Sequence, residues 1–480
     1  MRFQIERHIG SLRSARALVE APAADEMLEA AAAPPALPLP EFNPLDYVSY
    51  LLYIDAEIEH GLMVMYLYGA YSLGGPQVPE QHRETVRSWQ EIILGIAKEE
   101  MGHLISVQNV LRLIGAPLNL GRDDYPWDTP FYPFPFMLEP LTLDSLAKYV
   151  YAESPEDWSG PWADEIKKRV EKATPNPVRV GELFTMLIGL VKDPNFLPDE
   201  VFQAGTWPFQ AKWDEWGRGY KGGARGDSTK AHPKGTPDVL VEPVASRDDA
   251  VNALTEIAEQ GEAPPSDSPE APSHFTRFLN IYKEMSRLCL RGWDPARNVA
   301  VNPYLPPSSG DDPSQDESSD QERDPITHPE AAVWGHLFNV RYRLSLNFLL
   351  HSFQLQGGLN VAGAWTPRGT IINAAFGEMY NLRAIANFLV KTPLSNHPED
   401  GKTAGPPFQM PYTLNLPTGE ANRWRAHRNL LFASEPLIAE LLKISPPSRH
   451  RYLYALREAD QGLLEVIDPI LAAHTKLALT

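Results

Sequence analysis

The sequence predicts a mainly α protein. Long segments repeat apolar residues at three- and four-residue spacing, which is the helical period. Strand-like alternation is scarce, and the segments are separated by Pro- and Gly-rich stretches. With 43% hydrophobic and 10% aromatic residues in 480, the chain can bury a sizeable core.

Taken in order, residues 1–40 are an Ala/Pro-rich leader that tethers more than it packs. Two long helices lie between about 43 and 115, "DYVSYLLYIDAEIEHGLMVMYLYGAYSL" and "ETVRSWQEIILGIAKEEMGHLISVQNVLRLIG". The second should stop at Gly115, with Pro117 beyond it. An irregular aromatic segment follows, "DDYPWDTPFYPFPFMLEPL", then helices at about 144–153 and 178–192. "FQAGTWPFQAKWDEWGRGYKGGARG" reads as a long loop. A helix over 247–262 has Ser246 as its N-cap, and a proline-rich break separates it from "HFTRFLNIYKEMSRLCL". These elements define a domain over 41–295. Residues 296–328 read as an acidic flexible linker, and 329–480 as a C-terminal helical region with helices over 329–358, 370–392 and 421–475.

Charge and cysteine usage narrow the function. A net charge of −19 repels phosphate backbones, so no nucleic-acid partner is expected. No apolar run is long enough to span a bilayer, and the N-terminus has no apolar stretch of the secretory kind. A cytoplasmic protein without membrane attachment is therefore expected. The single cysteine, Cys289, excludes an intrachain disulfide or a four-thiolate metal site. Any metal must be held by oxygen and imidazole nitrogen. Nucleophile-elbow, Walker and dinucleotide glycine motifs are absent from the sequence.

The segment "AKEEMGHLISVQN" raises the main question. Residues three apart share a helix face, so Glu100 and His103 lie side by side, in line with Trp89, Ile93, Ile96, Leu104, Val107 and Leu111. An ionised carboxylate on an apolar stripe needs a cation, a hydrogen-bond network or a metal. On the first helix Glu59 falls in register with Leu52, Ala56, Met63, Tyr66 and Ala70, although that helix is apolar nearly all round and does not exclude Glu57 or His60. Glu182 aligns with Met186, Gly189 and Leu190. On the 247–262 helix, Glu262 lies nearest the Val251/Leu254/Ala258 stripe, Glu259 next, and Glu256 points away. His274, just past the proline break, is the nearest second histidine. Five or six such ligands from four helices suit a site for two metal ions.

In "AEIEHGLMVMYLYGAYSL", "ILGIAKEEMGHLISVQNVLRLIGAP", "VRVGELF", "EQGEA" and "SHFTRF", covering roughly 45–290, the chain resembles the ferritin-like domain associated with iminophenyl-pyruvate dimer synthases of violacein- and rebeccamycin-type bisindole biosynthesis. Fainter likeness continues through "RYRLSLNFLLHSF" and "TAGPPFQMPY". The resemblance implies a ferritin-like four-helix bundle with long loop insertions. Its metal ligands would be Glu59, Glu100, His103, Glu182, Glu259 or Glu262, and His274. Such ligands suit two iron ions, with manganese the alternative.

The function expected on this basis is oxidation of a small, amino-acid-derived molecule by O2 or peroxide. Glu100 and Tyr66 stand at the reacting centre, Tyr66 as a hydrogen-bond donor or radical carrier with core packing as its simpler role. Asp55 and His60 are expected to orient ligands, and Arg277 and Lys283 to meet a substrate carboxylate. The aromatic loops either line a pocket or cover the bundle. His336, His351 and His427 read as core histidines. A homo-oligomer is compatible with the sequence. Two further readings stay open, an imine-coupling enzyme of the dimer-synthase kind and a non-catalytic or peroxide-detoxifying metal binder.

Overall fold

A computed structural model describes residues 42–128, 132, 134–155, 157–172, 174, 181–216, 241–261, 272–289, 292–306, 323–397 and 401–477. The leader over 1–40, Glu262 and the glycine-rich "GRGYKGGARG" lie outside them.

Helix α1 (Pro44–Ser72) begins where the Asn43 side chain accepts the Asp46 amide at 3.0 Å, with Pro44 pre-set for the first turn. It ends before Gly74 and Gly75, both at positive φ, which turn the chain into α2 (Arg83–Leu113). The two helices pack extensively as a hairpin. As expected, α2 stops at Gly115, whose φ of 74° closes the helix while Ala116 donates to the Leu111 carbonyl at 2.9 Å. Helix α3 (Leu143–Ala152) opens with a capping box between Thr142 and Ser145. Then come α4 (Pro161–Val170), α5 (Gly181–Lys192), α6 (Arg247–Gly261) and α7 (His274–Cys289). Helix α3 packs on α7, α5 packs on α6 and α1, and Trp89 of α2 donates to Glu284 of α7 at 2.8 Å.

The aromatic segment covers the bundle. Trp127 and Tyr132 both stack on Phe136, with centroids 4.1 and 3.9 Å away, and Phe136 lies against Gly61 of α1. A Cβ at Gly61 would sit 2.5 Å from that ring, so the helix needs glycine there. The choice between pocket lining and cover therefore falls to cover for these buried rings.

The C-terminal region comprises α8 (Pro329–Ser352), α9 (Pro367–Leu389), α10 (Glu420–Ile444) and α11 (Pro447–Leu477). Two expected spans change here. The helix expected over 329–358 ends at Ser352, and Asn360–Val361 pairs with Ala364–Trp365 as a short hairpin, turning on Gly363 at positive φ. The helix expected over 421–475 divides because Pro446 and Pro447 supply no amide hydrogens to continue α10. Among α8, α9 and α11, fully buried Arg341 pairs with Glu378 at 3.2 Å and Asp460 at 2.7 Å.

Two buried knots join this region to the bundle. Arg368 at the start of α9 holds Glu215 through two bonds of 2.7 Å and also donates to the Gln210 and Leu355 carbonyls. His60 of α1 binds the Leu120 carbonyl at 3.0 Å through Nδ1 and the Tyr342 hydroxyl of α8 through Nε2, while Arg122 donates to that hydroxyl at 3.0 Å. The flanks of the expected flexible linker are also tied down. Ala300 is buried and donates to Thr403, and Asn302 donates to the Leu138 carbonyl. Among the described residues no helix is long and apolar enough to cross a membrane.

Candidate metal centre

The middle of α1 and α2 carries a buried cluster of acids and imidazoles. Glu59 is 2% exposed, Glu100 1%, His103 2% and His274 0%. His103 Nδ1 lies 3.3 Å from Glu59 Oε2 and 3.0 Å from Glu100 Oε2. On the other side of Glu100, its Oε1 lies 2.8 Å from His274 Nδ1, and Glu153 Oε2 is 3.8 Å from the same nitrogen. Glu100 therefore stands between two groups, Glu59/Glu100/His103 and Glu100/Glu153/His274. In each, one atom per residue lies within 4.8 Å of the others.

Local structure explains each placement. Glu100 and His103 share one face of α2. His274 is the first residue of α7, where the Ser273 hydroxyl accepts the Thr276 amide at 3.2 Å. Glu153 is the residue that ends α3, and Tyr66 of α1 donates to its Oε1. The Tyr66 ring is wedged between Tyr149 and Phe278, each centroid 4.8 Å away.

Both histidines are held from behind. His103 Nε2 meets Gln260 Oε1 at 2.8 Å, and His274 Nε2 meets Glu99 Oε2 at 2.9 Å. Arg277 in turn grips both oxygens of Glu99. Arg277 is thus committed to Glu99 rather than to a substrate carboxylate, and Lys283 lies over the Trp162 ring. Of the two groups expected to orient ligands, His60 turns toward Tyr342. Asp55, one turn before Glu59, is wholly buried with neither oxygen hydrogen-bonded.

The electrostatics follow from burial without water. Burial pushes the Glu59 carboxyl well up against the pull of His103, and pushes Asp55 up to about 8. Burial and the neighbouring Glu100 charge raise Glu153 to about 7. Burial also acts to raise Glu100, but His274 and His103 outweigh it and hold that group below the usual range. Burial opposes charge on His103 and His274, yet Glu59 and Glu100 raise the first and Glu100 and Glu99 the second.

These residues have the chemistry of metal ligands. Glu100 Oε1 and His274 Nδ1 face each other at 2.8 Å without the alignment of a hydrogen bond. Buried polar atoms left this way are rare unless something else engages them. The donor set, carboxylates with Nδ1 imidazoles, matches ions such as iron(II) or manganese(II). The cluster lines a small cleft together with Leu62, Phe184, Ile257 and Ala258.

The site departs from the sequence expectation on α6. Glu259 is exposed and joins neither group. The buried stripe is Ala250, Ala253, Leu254 and Ile257, rotated from the expected Val251/Leu254/Ala258, so Gln260 and Gly261 face the cluster instead. Glu182 lies on α5, but its side chain is outside the described atoms, as is Glu262. Glu153 was not anticipated, although Leu146, Tyr149, Val150 and Glu153 follow one helical stripe. His351 and His427 are buried core residues that bond each other at 2.8 Å, with Glu420 3.0 Å from His351. His336 is exposed, so the expectation of a core histidine fails at that position.

Residues 53–283 match the family model described as ferritin-like, and the chain therefore carries a ferritin-like domain. Among curated proteins it is similar to dichlorochromopyrrolate synthase of Lentzea aerocolonigenes, with 28% identity over 74% of this chain and 35% of the relative. It is also similar to 2-imino-3-(indol-3-yl)propanoate dimerase of Chromobacterium violaceum, with 25% identity over 74% of this chain and 33% of the relative. The chain spans about a third of the length of these relatives. A ferritin-like protein from Caulobacter vibrioides shares 15% identity over 72% of this chain and 98% of its own, with a TM-score of 0.40. The expected resemblance to ferritin-like domains of bisindole enzymes is borne out.

Proposed function

We propose that the protein is a non-haem di-metal carboxylate oxidoreductase that uses O2 or peroxide on a small organic, amino-acid-derived substrate. The observation that carries this is Glu100 standing between His103 and His274, with Glu59 and Glu153 completing two buried groups. Glu59, Glu100 and His103 would hold one ion, and Glu100, Glu153 and His274 the other. Two iron ions, or manganese in their place, would supply the electrons that reduce O2 or peroxide.

The chain's own residues do the rest. Tyr66 fixes one oxygen of Glu153, which leaves the other turned toward His274. Glu99 and Gln260 set the ring orientation of the two histidines, so that each presents Nδ1 inward. Leu62, Phe184 and Ile257 line the same cleft as the cluster and give one side of it an apolar wall. Protons held by Glu59 and Glu153 would leave on metal binding, because a ligating carboxylate must be ionised.

A second reading is coupling of two imine molecules, favoured by the names of the two relatives, a dichlorochromopyrrolate synthase and an imine dimerase. Both readings use the same residues. Elemental analysis of protein from iron- and manganese-supplemented cells is the deciding experiment, run beside a Glu100→Ala/His103→Ala variant. About two equivalents of metal, lost in the variant, are expected for a site of this type. Equal folding with no metal in either protein defeats the reading. O2 uptake with aromatic amino-acid-derived imines, analysed for monomeric oxidised against dimeric products, then separates oxidation from coupling.

A further inference from the structure

The two halves of the cluster are built alike at the front and differently at the back. Each presents one histidine Nδ1 and one private carboxylate toward the shared Glu100. Behind His274 stands a charged carboxylate: Nε2 meets Glu99 Oε2 at 2.9 Å, in a pocket where Glu99 is 2% exposed and Arg277 grips both its oxygens. Behind His103 stands a neutral amide: Nε2 meets Gln260 Oε1 at 2.8 Å, and Gln260 is half-buried in the last turn of α6. The carboxylates differ too. Glu153 is fixed by the Tyr66 hydroxyl, whereas Glu59 meets His103 itself.

An anion accepting the outer N–H of an imidazole makes the inner nitrogen a stronger donor than a neutral amide does, and it fixes the ring more firmly. A donor already held in place loses less freedom on binding. Both effects act in the same direction here. Resting on the metal-binding reading above, we infer that the two halves are unequal metal sites, and that the Glu153–His274 half, backed by Glu99, fills before the Glu59–His103 half, backed by Gln260. Glu99 and Gln260 are then positioning residues that set the order of loading without touching the ions.

The test is anaerobic titration of the metal-free full chain with cobalt(II), read by visible absorption and chelator competition, with circular dichroism as the folding control. Two steps separated by at least about tenfold in affinity are expected, since outer partners of this kind shift metal affinity by about 10–100-fold. Glu99→Gln should narrow the gap by weakening the first step. The reciprocal Gln260→Glu, at a half-buried position, should narrow it by tightening the second. His274→Ala should abolish the first step and His103→Ala the second. Two cobalt ions bound with equal affinity overturn the inference but leave the metal-binding reading intact. So does a tight step that survives His274→Ala and is lost in His103→Ala, or swaps of Glu99 and Gln260 that leave the gap unchanged in folded protein. No cobalt bound by folded wild-type chain overturns both.

Discussion

His103 and His274 lie face to face, ring centroids 5.4 Å apart and planes 25° apart, and both turn Nδ1 toward Glu100. Two imidazoles on different helices thus share one carboxylate, and the site depends on that single side chain more than on any other. Glu100→Gln keeps the shape and removes the shared charge. Metal content should fall from about two equivalents to below one, because two-ion sites of this type need the shared carboxylate. Elemental analysis of gel-filtered protein checks it, and retention of both ions would refute it.

Metal binding should strengthen with pH. Glu153, raised to about 7, and Glu59, raised further by burial, must lose protons before they can act as ligands. Apparent affinity for manganese(II), measured by competition, is expected to rise by about tenfold or more from pH 6 to pH 8. A flat profile would show that the carboxyls are already ionised.

The metal-free protein should show the opposite trend in stability. Asp55 keeps its proton to about 8 in the folded chain against 3.8 ordinarily, and Glu153 to about 7 against 4.5. Between those values the folded chain binds more protons than the unfolded chain, so stability falls as pH rises. His103, raised above 6.5 by Glu59 and Glu100 despite burial, adds stability that is likewise lost as pH rises through its folded value. The Tm in chelator should be lower at pH 8 than at pH 5. Asp55→Asn should recover part of the loss, on the order of 1 kcal/mol at pH 8, by removing a buried group that must otherwise ionise. An unchanged Tm in that variant at both pH values would contradict the assignment.

Tyr66→Phe removes the donor to Glu153 and keeps the ring between Tyr149 and Phe278. Folding should survive, while metal affinity at the Glu153 half drops by about tenfold. Unaltered cobalt binding would leave Tyr66 a packing residue.

Arg368→Ala strands Glu215, which is 1% exposed, without its cation. Removing one partner of a buried pair costs about 3–5 kcal/mol. Chemical denaturation should show a loss of that size, and a much smaller one would mean that water replaces the guanidinium.

How much of this was legible beforehand follows from helix length. On α2, thirty-one residues of amphipathic pattern fix the phase well enough to place Glu100 and His103 inward, and Gly115 marks the stop. On α1 the apolar residues run all round, so Glu59 and His60 both had to be carried, and only the structure sends one to the cluster and the other to Tyr342. On α6 a fifteen-residue helix with few large apolar residues left the phase uncertain by one position, which was enough to put Glu262 and Glu259 forward and pass over Gln260. Glu153 escaped because it ends a ten-residue helix, and Gln260 and Glu99 because their roles arise only from what other helices bring against them. The domain boundaries at 41–295 and 329–480 remain our proposal, and the knots at Arg368 and His60 cross them.

Successive residues of a helix point about 100° apart, so Glu59 and His60 pin α1 in two directions at once. One pin is set in the cluster and the other in Tyr342, far along the chain. A shaft held by two such pins cannot turn about its own axis unless both let go. The C-terminal helices therefore act as the keyway of the centre: Tyr342, steadied by Arg122, holds His60 and so sets the rotation of α1 that aims Glu59 at the cluster.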